Sequence, residues 1–471
     1  MLASGGALAG GFEIPDNGAR AVGRGGANAV GAQDLTAVHY NPALLARQAA
    51  KLSLMWDHNL VFHHESFQRA PLGDHWGPDN AGRTFDKVED DETFFPLGGF
   101  VSVGSDFGLS KRGGSTSGDW MFAASIYGPS SYGKQSWPAY GPQSWMLTEA
   151  NLIVIYYSLS AAWQAASGDF GFGVTLQWVD MPLMEYELAI DADPKIADPA
   201  ECGTLAPVAL EGTCGNVPTH VLGKLDISDR FAYTAIVGGF WRFMPNWELA
   251  VSGRVLPVKF EAKGGVKLDK PELSPEGVDV SLPLTMPVTA RGGVRYFQEA
   301  FDLELDVFWE NWSVIDQYDV AMTGDINAVP VHDLAIAKEW QDTVSVRLGG
   351  EYHVLPKTLD VRAGGFVENG AAPDNYSHID FPSFDRLGLG LGATWHALEN
   401  LDLTFGYMHV FQESRTVSEA DGKQFQQRPP HPCPEECTDP ATGALVPGVV
   451  ANAGTFDTRF DIVSLGVDFR L

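Results

Sequence analysis

From Lys51 to the C-terminus, apolar side chains recur at every second position. Val463, Leu465, Val467, Phe469 and Leu471 alternate with Ser464, Gly466, Asp468 and Arg470, and a period of two sends successive side chains to opposite faces of a strand. The same alternation runs through Leu387, Leu389, Leu391, Ala393 and Trp395, through Leu401, Leu403, Phe405 and Tyr407, and through Phe301 to Val307 against Asp302, Glu304 and Asp306. It predicts about fourteen strands, near 51–66, 94–107, 118–128, 146–166, 169–190, 224–243, 246–265, 278–297, 301–322, 341–354, 358–369, 383–397, 400–417 and 456–471.

Alternation suits a soluble sandwich as well as a barrel. The connectors separate the two. Tight turns such as Ser167-Gly168, Met244-Pro245, Gln298-Glu299, Leu355-Pro356-Lys357 and Leu398-Glu399 alternate with long connectors at 67–93, 191–223, 323–340 and 418–455. Short turns on one side, long loops on the other and an even strand count are the marks of an outer-membrane barrel. Several strands reach about twenty residues against the usual five or six, so they are expected to project beyond the lipid. The fold expected is therefore all-β, a transmembrane antiparallel barrel with both chain ends on the short-turn side. No run of 18 apolar residues supplies a membrane helix.

Residues 10–47 break the pattern, with glycine at 10, 11, 18, 23, 25, 26 and 31 and no sustained alternation. They predict a compact plug, or hatch, without strands, placed where it folds up into the lumen. Residues 1–9 read as the end of a secretory signal, because Ala7-Leu8-Ala9 has the small-x-small form of a cleavage site. The division expected is thus 1–9 signal remnant, 10–47 hatch and 48–471 barrel. Gly23-Arg24-Gly25-Gly26 lacks the preceding strand and following Lys-Ser/Thr of a phosphate loop.

Composition narrows the function. Aromatics make up 11% of the 471 residues, with 13 Trp and 13 Tyr, and such amphipathic rings favour the boundary between lipid and water. A net charge of −29 repels phosphate backbones, which excludes nucleic acid as a partner. No Gly-x-Ser-x-Gly elbow or His-Glu-x-x-His helix occurs, so no enzyme is expected. The row Asp302, Glu304 and Asp306 fits a solvated or salt-bridged barrel interior better than a catalytic pair. No metal or other cofactor is expected. Cys202 with Cys214 and Cys433 with Cys437 are expected as local disulfides in extracellular loops, ahead of a metal clip at Cys433 to Cys437. An acidic run, Glu89-Asp90-Asp91-Glu92, reads more simply as a solvated loop than as a calcium or adhesion site.

The residues that remain resemble the FadL family of outer-membrane transporters for long-chain fatty acids and aromatic hydrocarbons. The likeness is carried by Gly10-Gly11-Phe12, Val22-Gly23-Arg24-Gly25 and Asn41-Pro42-Ala43 at the start. Toward the end it is carried by Phe308-Trp309-Glu310-Asn311-Trp312-Ser313 and by Phe381-Pro382-Ser383-Phe384-Asp385-Arg386 before a glycine-alternating strand. The resemblance implies a monomeric fourteen-stranded barrel in outer-membrane lipid and lipopolysaccharide, closed by the hatch, that passes hydrophobic small molecules, long-chain fatty acids first among them. It implies gating by Asn41, Pro42 and Ala43 beside the third strand, a lateral exit where that strand kinks at Gly128-Pro129, and ligand contacts from Phe12 and Lys338. From the sequence alone, Lys338 reads more simply as a solvated loop charge. An open general porin and a structural or adhesive barrel are the rival functions; the hatch is what argues against the porin.

Overall fold

The computed structural model describes residues 13–14, 17–74, 81–91, 93–94, 99–111, 116–131, 134–191, 213–214, 217–218, 220–274, 276–430, 436–438 and 445–471. Phe12 and residues 1–9 lie outside this set, as do Cys202 and Cys433 and the side chains of Cys214 and Cys437.

Among the described residues the alternating segments form a closed antiparallel barrel of 14 strands. In chain order, the first half comprises β1 (Ser53–Arg69), β2 (Phe100–Ser105, with Val88–Asp90 and Thr93–Phe94 at its outer end), β3 (Asp119–Tyr127 and Lys134–Ser136), β4 (Glu149–Gln164), β5 (Phe170–Asp191), β6 (His220–Met244) and β7 (Trp247–Arg254 and Val258–Leu268). The second half comprises β8 (Val278–Met286 and Thr289–Phe297), β9 (Phe301–Glu310 and Gln317–Ile326), β10 (Leu334–Ala337 and Thr343–Leu355), β11 (Leu359–Glu368), β12 (Arg386–Leu398), β13 (Leu401–Gln412 and Arg415–Val417) and β14 (Gly454–Arg470). Each strand pairs with its chain neighbour, and β14 closes on β1, with Arg470 opposite Ser53 and Gly454 opposite Arg69. Closure leaves no free edge strand among the described residues, and lipid would not tolerate one.

Three long strands differ from the sequence expectation. β7, β8 and β9 are interrupted at 255–257, 287–288 and 311–316, and Pro257 and Pro287 lie in the first two breaks, where a residue without N–H cannot extend a ladder. The polarity of the wall inverts across them. Below the break in β7, Leu249 and Val251 face out while Glu248 and Ser252 are buried; above it, Val258, Phe260 and Ala262 are buried while Lys259, Glu261 and Lys263 are exposed. β9 does the same, from outward Leu303, Leu305 and Val307 to inward Tyr318, Val320 and Met322. In these strands the lower part of the wall is apolar toward lipid, and the upper part is apolar toward the interior and polar toward water.

The hatch occupies the lower lumen. It is built of two short helices, α1 (Ala19–Gly23) and α2 (Ala37–Tyr40), and a 3-10 helix, Pro42–Gln48. Helices this short do not hold alone; they hold because the wall buries nearly every residue from Asn17 to Ala46. One expectation is corrected here: the N-terminal segment does contain a strand, Glu13–Ile14, because Ser130 and Ser131 of the wall offer it a partner.

Candidate functional site

The lower lumen is electrostatically keyed to the hatch. Asp302, Glu304 and Asp306 of β9 point inward, where Arg24 of the hatch donates to Asp302 Oδ1 and Glu304 Oε2, each at 2.8 Å, with both partners buried. The backbone N–H groups of Asn28 and Ala29 donate to Asp306 Oδ2 at 2.9 Å, and that of Val30 to Glu304 Oε1 at 2.7 Å. Arg20 reaches Glu351 of β10 at 2.7 Å. The acidic row read from the sequence as barrel interior is thus the socket of the plug. On the facing wall glycines clear the way, since a Cβ on Gly364 of β11 would lie 2.0 Å from Arg24 O and one on Gly390 of β12 2.3 Å from Val22 O.

Asn41 is the N-cap of the 3-10 helix: its Oδ1 accepts from Ala43 N at 3.2 Å, and Pro42 occupies the first turn, where its missing N–H costs nothing. Its Nδ2 donates to Ala29 O at 3.1 Å and to Gly239 O of β6 at 3.3 Å. The 3-10 helix that the triplet opens lies against the third strand and also against β4, β5 and β6. The triplet itself packs on β5 and β6, where added Cβ atoms on Gly173 and Gly238 would fall 2.3 Å from Pro42 and 2.1 Å from Asn41 Oδ1. His39 also reaches β3, its ring edge-on to Tyr127 at 5.6 Å.

β3 leaves the barrel ladder at Gly128-Pro129. Tyr127 is its last residue paired with β4, opposite Tyr156, and pairing resumes only at Lys134, opposite Asn151. Between them Ser130 and Ser131 pair with the hatch strand, leaving residues 152–155 of β4 with no partner from β3 among the described residues. The irregularity crosses the wall. β5 slips register against β4 between Asp180 and Leu183, around Pro182. Asn17, Gly18, Asp57, Gly99, Gly128 and Pro129 surround a void of about 10 Å³ at this point, so hatch, first strand and break meet there. Inside the break stands an aromatic stack: Phe100 on Tyr127 at 4.5 Å and Tyr127 on Tyr156 at 5.4 Å.

A family model described as "Outer membrane protein transport protein (OMPP1/FadL/TodX)" matches residues 115–432, more than half of the 471-residue chain. The chain belongs to this family. The fold agrees with solved FadL and TodX-type barrels at low identity. A Pseudomonas aeruginosa FadL homologue is 14% identical with a TM-score of 0.70, over 98% of this chain and 100% of that one. The P. putida toluene transporter TodX is 14% identical at 0.65, over 98% and 99%. The Ralstonia pickettii toluene transporter TbuX is 13% identical at 0.62, over 97% and 99%. No curated protein matches the chain. This FadL/TodX-type barrel is accordingly an outer-membrane protein that transports hydrophobic molecules.

Above the hatch of this FadL/TodX barrel, β5 to β9 turn an apolar face inward. Val179, Met181, Met184, Phe260, Leu282, Leu284 and Met286 are all buried there. The inversion of polarity that produces this face went unread in the sequence, although the switch of apolar positions from odd to even across Pro257 is its signal. At the top sits a buried polar cluster. Lys338 is not a solvated loop charge: it is 1% exposed, its Nζ is 2.6 Å from Asp380 Oδ2, and it lies 4.9 Å above the Tyr318 ring. His378 Nδ1 approaches Asp380 Oδ1 at 2.8 Å, and Tyr186 donates to Oδ2 at 3.3 Å. Burial pushes the Asp380 carboxyl up, but the charges and hydrogen bonds of His378 and Lys338 outweigh it and hold it well below the usual carboxylate range.

Proposed function

We propose that the barrel passes uncharged or weakly polar hydrophobic molecules from the cell exterior, through its apolar upper interior, past the hatch, and out sideways where β3 leaves the ladder. The observation that carries this is the inverted upper wall. A water-filled porin presents polar groups inward, whereas here Val258, Phe260, Leu282, Leu284 and Met286 form the inner face, and its methionines suit ligands of varied shape. Asn41, Pro42 and Ala43 act in this scheme by holding the hatch on β5 and β6, and Gly128-Pro129 by ending the ladder at the exit.

A fatty acid is the second reading, supported by Lys338 with the Tyr186 and Tyr318 hydroxyls around it. Its carboxylate would have to displace Asp380 from Lys338, because a buried cation already paired at 2.6 Å gains little from a second anion. Binding of oleate and of a neutral hydrocarbon of similar length to Lys338→Ala separates the two. Equal affinity of parent and mutant for both ligands supports the uncharged-ligand reading, and a loss confined to oleate supports the fatty acid. Free passage of sugars through the barrel in liposome-swelling assays would overturn both.

A further inference from the structure

Outside the lumen, the lipid-facing wall carries a dent of about 1030 Å³ lined by β14 and by β1 to β7. Its rim is Trp56, Tyr157, Trp178 and Tyr233, and Ala124 of β3 lies in its floor between Val103 and Leu159. The dent exists because the wall is drawn toward the hatch. Behind its floor the inward side chains are the small Ser102, Ser125 and Ser158, hydrogen-bonded with Gln177, with Ser102 to Ser125 at 2.7 Å and Gln177 to Ser158 at 2.9 Å. A Cβ on neighbouring Gly104 would already stand 3.2 Å from Leu35 of the hatch.

Among the described residues no side chain charged at neutral pH lines the dent, and its walls continue the outward apolar band of Leu54, Val103, Leu159 and Leu176. It runs from Leu54 and Phe469, at the short-turn end, up to the level of Trp178. That places it in the periplasmic half of the membrane. A methylene takes a volume comparable to the roughly 30 Å³ of a liquid water, so the dent has room for on the order of thirty of them.

We propose that this dent is a specific phospholipid site, in which the acyl chains of one lipid of the periplasmic leaflet lie against Ala124 beneath the Trp56–Trp178 rim. The part that enters is the acyl region of a bilayer lipid, because the dent is continuous with the membrane-facing band and offers no charge that would draw a sugar or a phosphate into it. The inference requires only the membrane barrel and stands whatever the barrel carries.

Native mass spectrometry of the full chain, extracted in mild detergent and washed, tests it. The parent should retain one mass increment equal to a phospholipid. Ala124→Trp, which fills the floor, should lower the retained fraction at least tenfold, while Leu389→Trp, outward on β12 away from the dent, should leave it unchanged. Heat-modifiability on a gel shows whether each barrel is folded. The proposal fails if the folded parent retains no phospholipid, if the adduct has the mass of lipopolysaccharide, detergent or a second chain, or if Ala124→Trp retains as much as Leu389→Trp. Should Ala124→Trp not fold, Ala124→Leu replaces it with the same expected direction, and the parent spectrum alone still decides.

Discussion

Arg24 is the residue on which the hatch turns, since it is fully buried and answers two carboxylates of β9 at once. Removing one side of a buried ion cluster leaves the other unpaired, at a cost of about 3–5 kcal/mol. Arg24→Ala should therefore unseat the hatch while the ladder of the barrel, which does not involve it, remains closed. Raised conductance in planar bilayers with unchanged heat-modifiability is the expected result, and parental conductance would show that the backbone bonds at Asn28 to Val30 suffice. Asp380 plays the same part at the outer end, and here the pH dependence has a definite sign. A carboxylate whose folded pKa is depressed stabilises fully above its unfolded value of about 4 and loses that contribution only as pH falls through the folded one. Burial opposes the depression at Asp380, and the charges of His378 and Lys338 win. The contribution of Asp380 itself should consequently be the same at pH 7 and pH 5, so Asp380→Asn should lower the resistance of the outer loops to protease at both; a substitution without effect at pH 5 would contradict this.

At the scale of elements, the hatch and wall meet backbone to backbone. The strand Arg386–Leu398 alternates leucine with glycine, and the structure gives the reason: leucines face lipid and the glycines let α1 lie directly on the wall. A side chain on Gly390 would meet Val22 O at 2.3 Å, and that neighbour is backbone, which cannot swing aside. Gly390→Val should leave the barrel folded but the hatch displaced, read as increased sensitivity of expressing cells to bulky antibiotics; parental sensitivity would mean that the hatch shifts without leaking. The alternation of β12 was legible in the sequence because each face has one chemistry. The hatch helices were not, since segments of four to seven residues carry too few turns to show a period. The packing of Asn41 on β5 and β6 was equally hidden, because Gly173 and Gly238 are distant in sequence and become a groove only after closure. Gly128-Pro129 was legible as a ladder end, since proline cannot donate; the partner that Ser130 and Ser131 find in the N-terminal strand was not.

The whole molecule divides by depth. In the lower part the wall is apolar outside and charged inside, and the lumen is filled by a plug that neutralises those charges; in the upper part the wall is polar outside and apolar inside, and the lumen narrows to aromatic and methionine side chains. A polar solute entering from outside would have to cross the apolar faces of β7 and β8, and a hydrophobic one travelling straight down would meet the buried ion pairs of Arg20 and Arg24. The break in β3 lies between the two regimes, beside the Phe100–Tyr127–Tyr156 stack, and on the proposed route an apolar molecule leaves there without entering the charged compartment. Restoring the ladder should then stop transport without unplugging or unfolding anything. The double substitution Gly128→Val and Pro129→Thr supplies an N–H and a β-branched residue, favouring continued pairing with residues 152–155 of β4. Uptake of a labelled hydrophobic solute should fall about tenfold or more, with conductance still low and the barrel still heat-modifiable. Undiminished uptake by a variant whose amide exchange shows the β3 to β4 ladder completed would place the exit elsewhere, and would make the hatch itself the passage.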